Sequence, residues 1–290
     1  MMLNIGTVRS DYYGFNSIAR IAEESHKLLL DSVELNFSDC RFFEANMTAP
    51  LYAVIARLRN DLNDVSIHNL SSSIMTILKK NHFLNVFNME VLMDTNQTTL
   101  PFKIFKYHAG EQFYDYLYSY MNGRGIPSMS QALTKRFRQS LFEIFQNAAI
   151  HSQSESGIFV CGQFFPQKHR LDFTIVDAGI GIRENVRRYI KQEKINSCAA
   201  IRWAMSEGNT TKTGNQPGGL GLKLIKDFIR KNKGKLQIVS RFGYYAFSDN
   251  EDTVVKMDHD FPGTCVNIEI NTQDTSSYCL KSELRNDEIF

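Results

Sequence analysis

Paired cysteines are missing from this sequence: Cys40, Cys161, Cys198, Cys265 and Cys279 stand singly, with no paired spacing. That excludes a disulfide framework and predicts reduced thiols, three of them in apolar or strand-like surroundings. Long apolar runs are missing too. No stretch approaches the roughly 18 consecutive apolar residues of a membrane helix, and the N-terminus has no charged region followed by an apolar core, so neither a span nor a leader is expected. A protein of the reducing cytoplasm, without a membrane partner, fits both absences. Charge of one sign is scarce as well. With 33 Lys and Arg against 31 Asp and Glu the net charge is +2, and the basic pieces at 183–194 and 223–235 are mixed with acids or apolar residues. Nothing here forms the basic stripe of a nucleic-acid surface.

What is present is 43% hydrophobic residues in a chain of 290, enough for two domains with cores. Glycine clusters of the kind that punctuate the later chain are absent from residues 1 to about 90. There, strand-like Leu3 to Val8, Val33 to Phe37 and Val65 to Asn69 alternate with helical spacing over Asn16 to Leu30, Ala45 to Leu62 and Ser71 to Lys80. Such alternation predicts a small α/β layer. A polar stretch at 91–100 marks the boundary, with a second domain over 101–272 and a polar tail over 273–290. Tyr114, Leu117, Tyr118 and Met121 share a helical face that serves either core packing or a homodimer contact.

Three short clusters organise the second domain. Phe137, Leu141, Ile144, Phe145 and Ala148 recur at helical steps, and Glu143 and Asn147 fall on one face of that helix, with His151 a turn beyond. A strand-like run, Leu171 to Val176, ends in Asp177-Ala-Gly179-Ile-Gly181. A carboxylate fixed at a strand end can accept a hydrogen bond from an exocyclic amine, and glycines let backbone approach a flat ring. The third cluster, Gly218-Gly219-Leu-Gly221-Leu222, opens the apolar spacing of another helix. Free N–H groups and a positive dipole end at such a place suit an anion, phosphate above all.

In this order and at these separations the clusters resemble the GHKL ATPase superfamily of gyrase-type topoisomerases, heat-shock chaperones, histidine kinases and mismatch-repair ATPases. The resemblance implies a Bergerat α/β sandwich with a mixed sheet covered by helices on one face. It implies ATP and Mg²⁺ as ligands, with Asn147 on the metal, Asp177 on the adenine amine and Gly179 and Gly181 shaping the pocket. Gly218, Gly219, Gly221 and Leu222 would then embrace the phosphates, and Thr264 would help to hold adenine. Glu143, one turn before the asparagine, would be the catalytic base, and the polar segment from Ser206 to Pro217 the ATP lid.

From Val33 on, the first unit is similar to a STAS domain, the module of anti-sigma factor antagonists. Where those carry a phosphorylatable serine at the start of the long helix, this sequence reads Phe43-Glu44-Ala45-Asn46. Ala45 has no hydroxyl, so the family's switch is not available there. Neither a transducer domain nor a histidine-bearing hairpin is apparent, which leaves a bacterial regulator of the anti-sigma kinase kind, with a protein partner docking through the STAS-like unit. Two functions stay open. One is an Mg-ATP-dependent enzyme that hydrolyses ATP or passes the γ-phosphate to a serine or threonine; the other is a non-catalytic, nucleotide-gated interaction switch.

Overall fold

The computed structural model describes residues 1–206 and 220–283. The first unit alternates β1 (Met2–Asn4), α1 (Tyr12–Glu24), β2 (Ser32–Asn36), α2 (Thr48–Asn60), β3 (Asp64–His68) and α3 (Ser72–Lys80). Its strands pair in parallel in the order β1-β2-β3. Asp11 starts α1 by accepting a hydrogen bond from the Gly14 N–H at 2.8 Å, four residues before the helical spacing is visible in the sequence. Pro50 sits in the first turn of α2, where its missing N–H has no intrahelical acceptor to lose.

The rest of the chain forms β4 (Thr99–Phe105), α4 (Gly110–Tyr120), β5 (Ser128–Met129), α5 (Gln131–His151), β6 (Ile158–Phe165), β7 (Arg170–Asp177), α6 (Gly181–Ile190), α7 (Ser197–Met205), α8 (Leu220–Asn232), β8 (Lys235–Ser248), β9 (Glu251–Asn271) and β10 (Ser277–Tyr278). Five strands make one sheet in the order β4-β6-β7-β9-β8. Every pairing in it is antiparallel, which corrects the expected mixed sheet. The cause is local: β6–β7 and β8–β9 are joined by short turns, and a hairpin can only return antiparallel. The second turn is Asp249-Asn250, both left-handed at φ 51° and 66°, the pair of positive angles that a two-residue hairpin requires. Before that turn β8 runs unbroken from Lys235 to Ser248, and after it β9 runs from Glu251 to Asn271. Irregular pairing at Ser240–Gly243 hides the continuity from a search for alternating residues.

Helices α4, α5 and α8 cover the front of this sheet. Phe113, Leu117, Phe145, Ile225 and Phe228 pack there on Phe173, Ile175, Ile238 and Ile268. Leu117 and Met121 are thus core residues, whereas Tyr118 is exposed and Tyr114 partly so. The expected covering on one face is incomplete as a description, because the back of the sheet is covered too. Helix α2, apolar nearly all round, lies between the small sheet and the large one. Tyr52 meets Phe102 and Phe159 of the large sheet with ring centroids 5.1 and 4.8 Å apart, and α1 packs along β9. One continuous core therefore spans both units.

That back-face contact has a charged centre. Glu44, just before α2, is 1% exposed; its carboxylate accepts from Ser10 N–H and Oγ–H at 2.8 and 2.6 Å and pairs with Arg170 of β7. Arg170 also lies 3.2 Å from Asp172 and 3.4 Å from Glu269, and Lys235 reaches Glu269 at 3.1 Å. Asn267 donates to Asp172 and Gln237 and accepts from Thr174.

Residues 91–98 carry no regular structure before β4, and Asp94 closes them by accepting from the Thr99 N–H at 2.7 Å. Part of the expected tail is docked: β10 pairs with β5, and Tyr278 packs its ring on Phe228 at 5.4 Å. Residues 284–290 lie outside the described residues. Among the described residues no helix is long and apolar enough to cross a membrane.

Candidate functional site

Helices α5 to α8 and the sheet line a cavity of about 160 Å³. Helix α5 brings Asn147 and His151 to its rim, held in register by the Ser130 cap, whose Oγ accepts from Leu133 N–H at 3.1 Å. Strand β7 ends at the cavity with Asp177, and Thr264 is its direct partner on β9. Gly181 and Leu222 line the cavity with them. Ile144, Ile175, Ile182, Val186, Ile238 and Val266 supply flat apolar walls. The result is a slot with one buried carboxylate at its floor.

Burial pushes the Asp177 carboxyl up to about 7, against the lowering effect of hydrogen bonds from the Gly179 and Thr264 backbone. The Gly179 bond measures 2.9 Å. A group at 4% exposure with few donors is poised for one more donor, because each hydrogen bond to its ionised form offsets lost hydration.

Gly179 and Gly263 are required by close backbone approach. A Cβ on Gly179 would stand 1.9 Å from the Ser152 carbonyl oxygen, so the tight approach here joins β7 to the end of α5. At Gly263 the φ is +101° and a Cβ would meet the Asp177 carbonyl at 2.0 Å. Gly263→Ala is expected to cost about 2 kcal/mol or more, from left-handed strain plus the clash. Gly6→Ala, where no atom lies within 4 Å, should stay within about 0.5 kcal/mol. Urea denaturation midpoints of the two variants provide the check.

Glu143 lies elsewhere. Its carboxylate does not line the cavity but faces a groove between α5 and α8, where Oε2 accepts a 2.8 Å hydrogen bond from the Gly221 N–H. Gly221 permits this approach, since a Cβ would stand 2.8 Å from the same oxygen. The helix face thus brings Asn147 to the cavity and Glu143 to its outer side, one turn apart. Gly218 and Gly219, and the lid segment from Glu207 to Pro217, lie outside the described residues.

Several lining residues were not singled out from sequence. Asn185, on the second turn of α6, donates to the carbonyls of His151 and Gly181 at 3.0 and 3.1 Å, the first of which ties α6 to α5. Its position four residues after Gly181 was the available signal. Ser240 is not in the lining but braces residues that are: it donates to the Gly263 carbonyl, lies 3.1 Å from the Thr264 hydroxyl and accepts from Ile182 N–H. No local pattern marks it. Trp203 and Ser152 complete the wall.

Residues 132–274 match the histidine kinase-, DNA gyrase B- and HSP90-like ATPase family. The match supports a GHKL-type ATP-binding domain in this part of the chain, and the antiparallel sheet with helices α4, α5 and α8 is consistent with that sandwich. The match leaves residues 1–131 outside it. No curated protein matches the chain.

The residues present fit a divalent cation with the nucleotide. Asn147 offers an uncharged amide oxygen at the cavity, and among the described residues no cluster of three His, Cys, Asp or Glu could hold a metal. A hard cation that keeps water and takes phosphate oxygens, as Mg²⁺ does, suits such a sparse donor set.

Proposed function

We propose that this protein is an Mg-ATP-dependent regulatory enzyme that hydrolyses ATP or passes its γ-phosphate to a serine or threonine of a partner. The observation that carries the reading is the split on α5, with Asn147 turned to the cavity and Glu143 one turn away at the first turn of α8. Asp177 accepts the adenine amine, Thr264 supports it, and Gly179 and Gly181 shape the slot. Gly218, Gly219, Gly221 and Leu222 hold the phosphates. Asn147 binds the Mg²⁺, which neutralises phosphate charge. Glu143 takes the proton of the attacking hydroxyl, as a general base beside a γ-phosphate does.

The first unit, which from Val33 on is similar in sequence to a STAS domain, serves docking or sensing. Its Glu44-Ala45-Asn46 segment is buried on the face of the sheet opposite the cavity, hydrogen-bonded to Arg170, Gln163 and Asn267. This favours an acceptor on another molecule. One observation favours the second reading, a nucleotide-gated switch without turnover: the Glu143 carboxylate is already engaged by the Gly221 N–H.

Incubation of the full chain with γ-labelled ATP and Mg²⁺, following free phosphate and label on protein together, tests the proposal. Release or transfer that requires Mg²⁺ is expected. Tight binding with neither would leave the switch.

Asp177 makes the affinity pH-dependent. A donor on its carboxylate favours the ionised form, so nucleotide binding strengthens as pH rises through about 7. Measured as the ratio of wild-type to Asp177→Asn affinity, which cancels titration of the phosphates, the advantage of the wild type should fall by up to about tenfold per pH unit below that value. A ratio that is flat between pH 5.5 and 8 would remove Asp177 from the adenine.

A further inference from the structure

The groove faced by Glu143 is larger than the cavity behind it, at about 550 Å³, and its chemistry differs. It runs between α5 and α8 and is closed at its far end by Tyr278 to Lys281. Leu133, Leu224, Phe228 and Leu280 form an apolar floor. Arg136, Lys223, Arg230, Lys231 and Lys281 line the walls, and among the described residues the lining carboxylates are Glu143 and Asp227. Arg230 pairs with Asp227, and Glu143 is held by Gly221. Leaving Lys223 aside, Arg136, Lys231 and Lys281 still give the lining an excess of positive groups, on exposed side chains, in a chain whose overall charge is close to balanced.

We infer that this groove docks an acidic polypeptide segment and delivers its serine or threonine hydroxyl to Glu143. The inference rests on the phosphotransfer branch of the proposed function and names its substrate class. Charge complementarity selects the occupant: acidic side chains meet the cationic walls, and the apolar floor takes the side chains between them. A nucleic acid would need a longer basic track than one groove on a chain of this net charge. In the step, the hydroxyl proton passes to the Glu143 carboxylate and a bond forms from the hydroxyl oxygen to the γ-phosphorus. The bond from that phosphorus to the β,γ-bridging oxygen breaks and ADP leaves. Glu143 then returns the proton to water. ATP is the only co-reactant.

The test uses the full chain and two fluorescent peptides that share a central serine and differ only in flanks of glutamate or lysine. Anisotropy reports binding, and γ-labelled ATP reports transfer. The acidic peptide is expected to bind at least about tenfold tighter than the basic one and to take the label. In Arg136→Glu/Lys231→Glu that preference should be lost or reversed while ADP affinity is unchanged. Lys281→Glu, exposed on the closing segment, should weaken it in the same direction and guards against misfolding of the double variant. Equal binding of both peptides, acidic-peptide binding that survives the reversals, or ATP turnover that labels neither peptide would overturn the groove and leave the ATPase. Displacement of the acidic peptide by an oligonucleotide of equal charge would overturn it in favour of a general polyanion site. Charge-dependent docking in a protein that turns over no ATP would instead sink the enzymatic reading, since the peptide would then be a ligand of a switch.

Discussion

Arg170→Met is expected to destabilise the whole molecule by about 3–5 kcal/mol, the usual cost of removing one partner from a buried charge cluster. Arg170 is the cation shared by Glu44, Asp172 and Glu269, of which Glu44 and Asp172 are 1% and 0% exposed. Methionine would fill the volume and leave two buried carboxylates without a counter-charge. Burial, and next the nearby Glu269, already raises the Asp172 carboxyl to about 7, so this site carries a surplus of negative charge. The sign of the pH effect follows. Between the carboxyl's unfolded value and about 7 the folded chain holds a proton that the unfolded chain has lost, so this group's contribution falls as pH rises across that window. Asp172→Asn should therefore be neutral or stabilising above pH 7 and should recover part of the loss in the Arg170→Met background. Urea denaturation of the four proteins at pH 6 and 8 measures both effects. A loss under about 1 kcal/mol would mean that water reaches the cluster and the two units separate readily. ADP affinity of the folded fraction should change little, since the cluster lies on the face of the sheet opposite the cavity.

Glu143→Gln is expected to lower phosphate release or transfer by about 10²–10⁴-fold, the range for loss of a general base, while nucleotide affinity stays within about threefold. Glutamine keeps the shape, and its amide oxygen can still accept from the Gly221 N–H that Glu143 accepts now. Only the capacity to take a proton is removed. Asn147→Ala should differ in kind: it should weaken Mg²⁺-dependent binding itself, because the proposed role of its amide oxygen, as a metal ligand, is the same in the ground and transition states. Rate and affinity measured on both variants separate the two roles. Full turnover in Glu143→Gln would remove Glu143 as the base and leave the activation of the nucleophile to another group.

Much of the candidate site was readable because its residues lie close together in sequence on regular elements. Glu143 and Asn147 share a helix face by spacing alone, Ser130 is a recognisable cap, and Asp177 is the last residue of a strand whose alternation is plain. Other parts were hidden for identifiable reasons. Asn185 and Ser240 come from elements that periodicity does not connect to the cavity. Spacing placed Glu143 and Asn147 on one face, but only the position of α8 shows that they open onto different spaces.

The back of the sheet marks the limit most clearly. Arg170, Asp172, Thr174, Asn267 and Glu269 alternate with apolar residues along β7 and β9, the pattern of strands with one face in water. Alternation tells which residues share a face and says nothing about what covers it. Glu44, which pairs with Arg170, is 126 positions away along the chain. By itself, then, the sequence determined the alternation of strands and helices in the first unit, the candidate motifs of an ATP-binding domain and the face of α5 that bears Glu143 and Asn147, because these depend on local period and composition. The tertiary structure alone decided that the first unit seals the back of the ATP-binding sheet through a charged cluster, and that Glu143 faces a basic groove. Both depend on distant segments packing together, and no local period encodes that.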